Sequence, residues 1–181
     1  MKEVILIIPA YNEEKNIALV VDELIENYPE LDYVVIDDGS ADDTRKICEA
    51  KGYNMISLAV NLGLAGAFQT GMRYAYERGY LYAVQFDGDN QHSAEYVELM
   101  KEEINRGADI VIASRFLEKK KPLTLRMLGI RLISLAIRLT TGVKLTDPTS
   151  GMRMYSSKAI EEFALSINYA PEPDTVSYLI K

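Results

Sequence analysis

Residues 4–14 read VILIIPAYNEE, and this stretch decides the fold class. Five consecutive apolar residues end at Pro9, a pattern typical of a short strand that is buried on both faces, as in a parallel sheet. Apolar residues then recur at helical spacing from Ile17 to Tyr28. The start of the chain therefore predicts a buried strand, a polar loop and an amphipathic helix.

Strand and helix patterns alternate in the same way as far as residue 113. Further strands are predicted at residues 33–36, 55–58, 81–86 and 110–113. Helices are predicted at residues 40–50, 64–78 and 94–105, the first with Ser40 and Asp43 as a capping-box-like start. This alternation predicts an α/β fold whose sheet is mainly parallel, with helices on both faces.

The pattern changes after residue 114. An almost wholly apolar helix is predicted at residues 123–141, with Arg131 and Arg138 two turns apart on one face. A short strand at residues 154–155 and a short helix at residues 158–165 follow. The apolar helix has two interpretations that the sequence leaves open, packing into the core or lying at a membrane interface.

Composition and charge exclude several classes of protein. The chain has 181 residues, 48% of them hydrophobic and 26% charged, which predicts one globular domain over residues 1–181. No apolar run is long enough for a membrane span, and the apolar N-terminal run is too short for a signal peptide. A single cysteine, Cys48, excludes an internal disulfide framework and fits a reducing cytoplasm.

The net charge of −7 is distributed unevenly along the chain. Residues 1–114 hold 9 bases and 21 acids, whereas residues 115–158 hold 10 bases and 2 acids. A basic segment in an acidic protein indicates either an anionic ligand or surface, or merely a solvated helix face. The sequence contains no feature that points to a nucleic-acid partner.

Acidic residues follow three of the predicted strands. Ligands of such sheets bind at the carboxyl ends of the strands, where PAYNEE, DDGS and DGDNQH begin at residues 9, 37 and 87. Helix capping accounts equally well for Asn12 and Ser40. It does not account for Asp87 and Asp89, whose carboxylates are suited to one Mg²⁺ or Mn²⁺ ion, with Gln91 as a further oxygen ligand.

Four motifs in order, IIPAYNEE, VVIDDGSADDT, FDGDNQH and DPTSGMR, resemble family 2 glycosyltransferases of GT-A fold, a Rossmann-like architecture. The Gln-His pair after the acidic residues and the TSGMR segment are most similar to the dolichyl- or polyprenyl-phosphate sugar transferase branch. The resemblance implies a metal-dependent, inverting hexosyltransferase that uses a UDP- or GDP-linked sugar. It also implies a nucleotide-sugar and metal half at residues 1–114 and an acceptor-side half at residues 115–181, shortened at its C-terminus.

The resemblance also implies roles for individual residues. Nucleotide binding is implied for Pro9, Ala10, Tyr11, Glu13, Asp37, Asp38, Asp87 and Gly88. Metal binding is implied for Asp87, Asp89 and Gln91. Acceptor-side roles are implied for Arg126, Arg131, Ser150, Gly151 and Arg153. Catalytic roles are implied for Asp89, Arg115 and Arg131.

One departure from the family pattern bears on the acceptor. Many members that act on sugar acceptors have a Glu-Asp pair, whose acid is a general base, where this chain has Pro148 to Gly151. A phosphate acceptor needs no base, because its second pKa of about 6 leaves it ionised at pH 7. The departure therefore favours a polyprenyl phosphate. The basic segment and the apolar helix fit such an acceptor too, and a cytoplasmic enzyme in peripheral contact with the inner face of the membrane is expected.

Other functions remain possible from the sequence. The first is transfer to a saccharide acceptor in cell-surface polysaccharide synthesis, and the second is an inactive sugar-nucleotide-binding module. A nucleotidyltransferase is disfavoured because PAYNEE lacks a glycine-rich basic loop, and a receiver domain because Pro9 and Ser114 stand at its signature positions. The sugar, the nucleotide base and any homo-oligomeric state are left open.

Overall fold

The computed structural model of the protein describes residues 3–86, 94–113 and 151–165. Its strands are β1 (Val4–Ala10), β2 (Asp32–Asp37), β3 (Met55–Ser57), β4 (Tyr82–Gln85), β5 (Ile110–Ile112) and β6 (Arg153–Ser156). Its helices are α1 (Ile17–Asn27), α2 (Thr44–Lys51), α3 (Gly63–Arg78), α4 (Val97–Asn105) and α5 (Ser157–Leu165). A short 3₁₀ turn, Ala94–Tyr96, precedes α4. These elements confirm the predicted strand and helix alternation to within a few residues at each end.

The strands form one six-stranded sheet in the order β3-β2-β1-β4-β6-β5. The pairs β1–β2, β1–β4 and β2–β3 are parallel, which confirms the mainly parallel sheet. The sequence did not predict that β6 lies between β4 and β5, antiparallel to both. As a result, β6 begins where β4 ends, and its first residue, Arg153, lies opposite both Gln85 and Ile112.

Helices cover both faces of the sheet, as predicted. Alternate side chains of a strand point to opposite faces, so an all-apolar β1 supplies both layers of the core. The side chains of Leu6 and Ile8 belong to the layer that contains α1 and α4. Those of Ile5 and Ile7 belong to the layer that contains α3 and α5.

Close contacts bring the helices onto the sheet. Gly71 of α3 lies directly over β1, and a Cβ atom built on it would be 2.3 Å from Cγ2 of Ile7. On the other face, Cys48 of α2 is fully buried, and burial raises the pKa of its thiol to about 11. That thiol therefore acts as a small apolar core residue at neutral pH.

Within the described residues, no helix has the length and apolar character needed to cross a membrane.

The predicted capping roles of Ser40, Asp43 and Asn12 are wrong. Helix α2 begins at Thr44, and the side chain of its N-cap residue, Asp43, makes no capping hydrogen bond. Helix α1 has Asn16 rather than Asn12 at its N-cap. Ser40 and Asn12 bond to each other's loops instead, because the carboxyl ends of the parallel strands β1 and β2 bring these loops together.

Candidate functional site

Polar residues from neighbouring strands meet at the carboxyl end of the sheet. Ala10, the last residue of β1, lies opposite Asp37, the last residue of β2. Asp37 in turn lies opposite Ser57, the last residue of β3. On the other side of β1, the sheet ends with Gln85 of β4 beside Arg153 of β6. The geometry thus brings the predicted residues Ala10, Asp37 and Arg153 to one edge of the sheet.

Asp37 is almost completely buried, with 1% of its surface exposed. Its Oδ1 accepts a hydrogen bond of 3.0 Å from the N–H of Ser40, and its Oδ2 accepts one of 2.8 Å from the hydroxyl of Ser57. Buried carboxylates need such donors, because an unsatisfied charge in the interior is costly. Asp37 therefore joins the ends of β2 and β3 and holds the turn that follows β2.

Asp38 joins the same edge to a third segment of chain. Its backbone N–H donates to the carbonyl of Ala10 at 2.8 Å, and its Oδ1 accepts from the N–H of Leu62 at 2.7 Å. The side chain is 4% exposed. Next to it, Gly39 has a φ of +69° and lies against the backbone of Val60 and Asn61. The two acids of the DDGS motif thus place the loop before α3 as well as the turn after β2.

The loop after β1 is held by side chains of the loop after β2. The N–H groups of Asn12, Glu13 and Glu14 donate to Ser40 Oγ at 3.0 Å, to Thr44 Oγ1 at 2.8 Å and to Asp42 Oδ2 at 3.1 Å, respectively. Three successive backbone N–H groups often form a concave site for an anion. Here all three have acceptors within the protein, so they are not available to bind a phosphate.

The second loop is bonded in return. Asn12 has a φ of +57°, and its Oδ1 accepts from the N–H of Ala41 at 2.9 Å. Asp42 accepts from both the N–H and the hydroxyl of Thr44. Partial burial alone would raise the pKa of Asp42, but these bonds and the one from Glu14 outweigh it and lower that pKa below its ordinary value of 3.8. Asp42 is therefore an ionised acceptor at neutral pH.

The remaining predicted residues of this edge differ in exposure. Pro9 and Ala10 lie at the end of β1, where Pro9 is half-buried and Ala10 is buried. The ring of Tyr11 is 50% exposed beyond the edge of the sheet. Glu13 is half-buried, and its Oε2 accepts from the side-chain amide of Asn16 at 2.8 Å. Tyr11 is thus an exposed aromatic residue that directly follows Ala10, the residue opposite Asp37.

Three residues of the site were not found by sequence reasoning. Ser57 and Gln85 are the last residues of their strands, and strand ends were the signal already used for the acids. Thr44, which is fully buried, closes the GSADDT segment but reads locally as the start of a helix. Its partner in the first loop, Glu13, is 31 residues away along the chain, so no local pattern could reveal the contact.

Several predicted site residues lie outside the described residues. These are Asp87, Gly88, Asp89, Gln91, Arg115, Arg126, Arg131 and Ser150. Gly151 is half-buried next to β6, and Arg153 is buried, with 3% of its surface exposed. Among residues 3–86, 94–113 and 151–165, no three His, Cys, Asp or Glu side chains are grouped so that they could hold a metal ion. In the sequence, the predicted ligand pair begins with Asp87, two residues after Gln85.

Comparison with known proteins identifies the family. A family model with the description Glycosyl transferase family 2 matches residues 5–163 of the chain. The chain belongs to glycosyl transferase family 2. The match includes the β1 and β2 loops, the segment after β4 and the segment that leads into β6, which are the four motifs of the sequence prediction.

Two relatives of this family 2 glycosyltransferase carry the names of polyprenyl-phosphate sugar transferases. The undecaprenyl-phosphate mannosyltransferase of Micrococcus luteus is 34% identical over 90% of this chain and 70% of that protein. The UDP-N-acetylglucosamine–dolichyl-phosphate N-acetylglucosaminyltransferase of Methanococcus voltae is 36% identical over 88% of this chain and 72% of that protein. These two likenesses confirm the predicted resemblance to the polyprenyl-phosphate sugar transferase branch.

Solved structures show the same fold at lower identity. One is glucosyl-3-phosphoglycerate synthase from Mycobacterium tuberculosis in complex with Mn²⁺, UDP-glucose and phosphoglyceric acid. Its TM-score is 0.66 at 21% identity, over 87% of this chain and 57% of that chain. The chain thus spans just over half of that solved protein. Together these likenesses confirm the predicted family, the GT-A fold and a glycosyltransferase enzyme.

Proposed function

We propose that this family 2 glycosyltransferase transfers a hexose from a nucleotide sugar to a polyprenyl phosphate. The observation that carries the proposal is its likeness, at 34% and 36% identity over about nine-tenths of the chain, to two enzymes named for polyprenyl-phosphate acceptors. The arrangement of the carboxyl end of the sheet supports a nucleotide-sugar donor, because open α/β sheets bind their ligands there.

The donor nucleotide lies, in this proposal, across the ends of β1 and β2. Pro9, Ala10, Tyr11 and Glu13 would bind it from the first strand, Asp37 and Asp38 from the second, and Asp87 and Gly88 from the segment after β4. The half-exposed ring of Tyr11 offers a surface on which a base can stack. The buried acids can accept further hydrogen bonds, since each carboxylate oxygen has two lone pairs. These features suit the base and ribose rather than the phosphates.

The diphosphate of the donor requires positive charge that the first loop does not supply. The N–H groups of that loop are already bonded within the protein, and the neighbouring side chains are acidic. The carboxylates of Asp87 and Asp89, with the amide oxygen of Gln91, are the oxygen donors that Mg²⁺ or Mn²⁺ prefers. Such an ion neutralises the leaving diphosphate when bound. Manganese also accompanies UDP-glucose in the solved structure of similar fold.

The arginines complete the charge balance. Arg115 would bind the donor diphosphate, because a guanidinium forms paired hydrogen bonds with phosphate oxygens. Arg126 and Arg131 would bind the acceptor phosphate, with Ser150, Gly151 and Arg153 lining the acceptor side. Of these, Arg153 is buried beside Gln85, the last residue of β4, which Asp87 and Asp89 follow in the sequence.

The proposed reaction is one displacement at the anomeric carbon. An oxygen of the acceptor phosphate forms a bond to that carbon while the bond from the carbon to the nucleoside diphosphate breaks, and the diphosphate leaves with the electron pair. The configuration is therefore inverted. No protein base is required, because the acceptor phosphate is already ionised at pH 7. This agrees with the absence of a Glu-Asp pair at residues 148–151.

The lipid acceptor places the proposed reaction at a membrane surface. Residues 115–158 carry 10 bases and 2 acids, which suits contact with anionic headgroups on the cytoplasmic face. Activity on vesicles of anionic lipid should therefore fall as salt screens this attraction.

The proposal is tested by transfer of labelled sugar to three acceptors, polyprenyl phosphate, polyprenol and a soluble oligosaccharide. Each is assayed with UDP- and GDP-linked sugars, with Mg²⁺, Mn²⁺ or a chelator. We expect transfer to the lipid phosphate only, and only with a divalent cation. Transfer to the oligosaccharide but not to the lipid phosphate would contradict the proposal. Nucleotide binding without transfer to any acceptor would instead support an inactive binding module.

The assignment of Asp89 as a metal ligand is tested by two alanine variants, one at Asp89 and a control at Asp109. Asp89→Ala should abolish the Mn²⁺-dependent part of nucleoside-diphosphate binding, measured by calorimetry, without changing the melting temperature. Asp109→Ala removes an exposed aspartate that is paired with Lys158 at the opposite end of the sheet. This control should bind nucleotide like the unchanged protein. Equal affinity of the Asp89 variant in Mn²⁺ would refute the ligand assignment.

A further inference from the structure

The feature that the proposed function does not use is the set of hydrogen bonds between the loop after β1 (residues 11–16, the first loop) and the loop after β2 (residues 38–43, the second loop). Each loop carries proposed donor-binding residues, Tyr11 and Glu13 in the first and Asp38 in the second. The distance between the loops therefore sets the width of the proposed nucleotide site.

Thr44, directly after the second loop, is at the centre of these bonds. Its hydroxyl oxygen accepts from the N–H of Glu13 at 2.8 Å, and the same hydroxyl donates to Asp42 Oδ1 at 2.5 Å. The residue is fully buried. One hydroxyl thus connects the backbone of the first loop to a carboxylate of the second and uses its donor and an acceptor position in doing so.

Further bonds on either side of Thr44 join the same two loops. Asn12 donates its N–H to Ser40 Oγ and accepts from the N–H of Ala41. Glu14 donates its N–H to Asp42 Oδ2, and its own carboxylate accepts from the N–H of Asp43 at 3.3 Å. Most of these contacts are solvent-exposed, whereas the bond from Glu13 to Thr44 is partly buried.

The charges of the two loops explain why such bonds are needed. Acidic residues outnumber basic ones in the two loops, with Glu13, Glu14, Asp38 and Asp42 against Lys15, while Asp43 is paired with Lys46. Like charges therefore repel where the loops meet. No buried apolar side chain comes from residues 11–16 or 38–43. Hydrogen bonds between backbone N–H groups and side-chain oxygens therefore hold the loops in register before any ligand binds.

We infer that Thr44 is a positioning residue for the donor nucleotide: it holds the first loop against the second so that Tyr11 and Glu13 lie at a set distance from Asp37 and Asp38. This inference rests on the proposed function. A preorganised site binds more tightly because less conformational freedom is lost on binding. Thr44 does not touch the nucleotide in this account.

The chain contains a matched hydrogen bond at the other end of α2. Tyr53 donates its hydroxyl to Asp22 Oδ1 at 2.6 Å, and the two residues are 31 positions apart, as are Glu13 and Thr44. This bond joins Asp22 of α1 to the segment between α2 and β3, away from both loops. Tyr53→Phe thus removes a comparable contact without altering the proposed site.

The experiment compares Thr44→Val, Thr44→Ser and Tyr53→Phe with the unchanged protein. Binding of UDP and GDP is measured by calorimetry in Mn²⁺, and melting temperatures are measured in parallel. Thr44→Val keeps the shape of the side chain and loses its hydroxyl. It should lower the affinity for whichever of UDP and GDP binds more tightly by about 10-fold, which is about 1.4 kcal/mol. Thr44→Ser should restore affinity to within about 3-fold, and Tyr53→Phe should lower the melting temperature without weakening the nucleotide.

Steady-state kinetics supply a second measurement. Thr44→Val should raise KM for the nucleotide sugar and leave KM for the acceptor unchanged, a split that a general loss of stability would not produce. Asn12→Gly keeps the positive φ accessible and removes the acceptor for Ala41, so it tests the same loops if the valine variant does not fold. It should weaken the nucleotide in the same direction.

The outcomes separate the inference from the proposed function. If the unchanged protein binds neither UDP nor GDP, the proposed function is wrong and the inference falls with it. If it binds one of them and Thr44→Val and Asn12→Gly bind it equally well, the inference alone is overturned. Equal losses of affinity in Thr44→Val and Tyr53→Phe would also overturn it, since the effect would then follow stability rather than loop position.

Discussion

The two ends of the sheet are held together by different kinds of hydrogen bond. At the carboxyl end, backbone N–H groups of one loop donate to short side chains of another, as between Asn12 and Ser40. At the amino end, tyrosine hydroxyls reach side-chain oxygens, from Tyr80 to Asp32 at 2.8 Å and from Tyr82 to Asn105 at 2.7 Å. A bond to the backbone sets the course of the chain, whereas a bond between two long side chains does not. At the carboxyl end, side chains of each loop therefore fix the backbone of the other.

Glycines with positive φ show the same difference. Gly39 at the carboxyl end and Gly79 at the amino end have nearly equal φ values, +69° and +72°. A Cβ atom on Gly39 would be 2.8 Å from Asn61 N and from Val60 C, whereas nothing lies within 4 Å of one on Gly79. Gly79 is required only for the left-handed C-cap of α3. Gly39 also leaves room for the backbone of Val60 and Asn61 to pack against it.

The largest effect is expected from Gly39→Ala compared with Gly79→Ala. Both variants place alanine at positive φ, which costs about 1 kcal/mol. Gly39→Ala must also displace backbone, so its total cost should be about 3 kcal/mol in the free energy of unfolding. Urea denaturation measures both values, and nucleotide affinity should fall only for Gly39→Ala. Equal destabilisation of the two variants would mean that the contact with Val60 and Asn61 is not tight.

The next effect compares two aspartates at opposite ends of β2. Asp37→Ala leaves the partly buried N–H of Ser40 and hydroxyl of Ser57 without their acceptor, which should cost about 2 kcal/mol. Asp32→Ala removes the half-buried acceptor of Tyr80 and should cost about 1 kcal/mol. Denaturant midpoints measure the costs.

Nucleotide affinity gives a second comparison between the Asp37 and Asp32 variants. Asp37→Ala should weaken UDP or GDP even without a divalent cation, and Asp38→Ala should do the same, because both acids belong to the proposed base and ribose site. Asp32→Ala should leave the affinity unchanged. A loss at Asp37 seen only in the presence of Mn²⁺ would assign that residue to the metal site instead.

The smallest effect concerns two aspartates whose pKa values are both lowered. Hydrogen bonds from Lys51 and Tyr53 lower the pKa of Asp22, and the donors to Asp42, which outweigh its partial burial, are uncharged groups. Salt screens the attraction of Lys51 but not the neutral donors of Asp42. Raising NaCl from about 0.05 to about 0.5 M should therefore raise the pKa of Asp22 and leave that of Asp42 unchanged, as measured by NMR titration.

The sign of the linked stability follows from the same shifts. Each folded pKa lies below the ordinary value of 3.8, so each carboxylate contributes stability above about pH 3.8 that is lost as the pH falls through the lowered pKa. Asp42→Asn should therefore be less stable than the unchanged protein at neutral pH and converge with it in acid. A stability difference that grows below pH 3 would contradict the assignment.

The sequence by itself determined the layers of the fold, and it predicted the position of the site. A strand buried on both faces must be apolar at every position, and β1 is apolar throughout, so residues 4–8 alone indicated a sheet with helices on both sides. Acidic residues directly after such strands indicated the carboxyl end as the site. Both signals are local, because burial and strand ends are visible within a few residues.

Only the tertiary structure decided the partners of those residues. Ser40 and Asn12 were expected to cap their own helices, but each bonds to the other's loop across 28 or 29 positions of sequence. The insertion of β6, which brings Arg153 beside Gln85, likewise depends on a pairing of strands far apart in the chain. Hydrogen-bonding side chains accept any donor that the fold brings near, so their sequence neighbours do not reveal which donor that is. The packing of parallel strands makes that choice by bringing the carboxyl ends of β1 and β2 together.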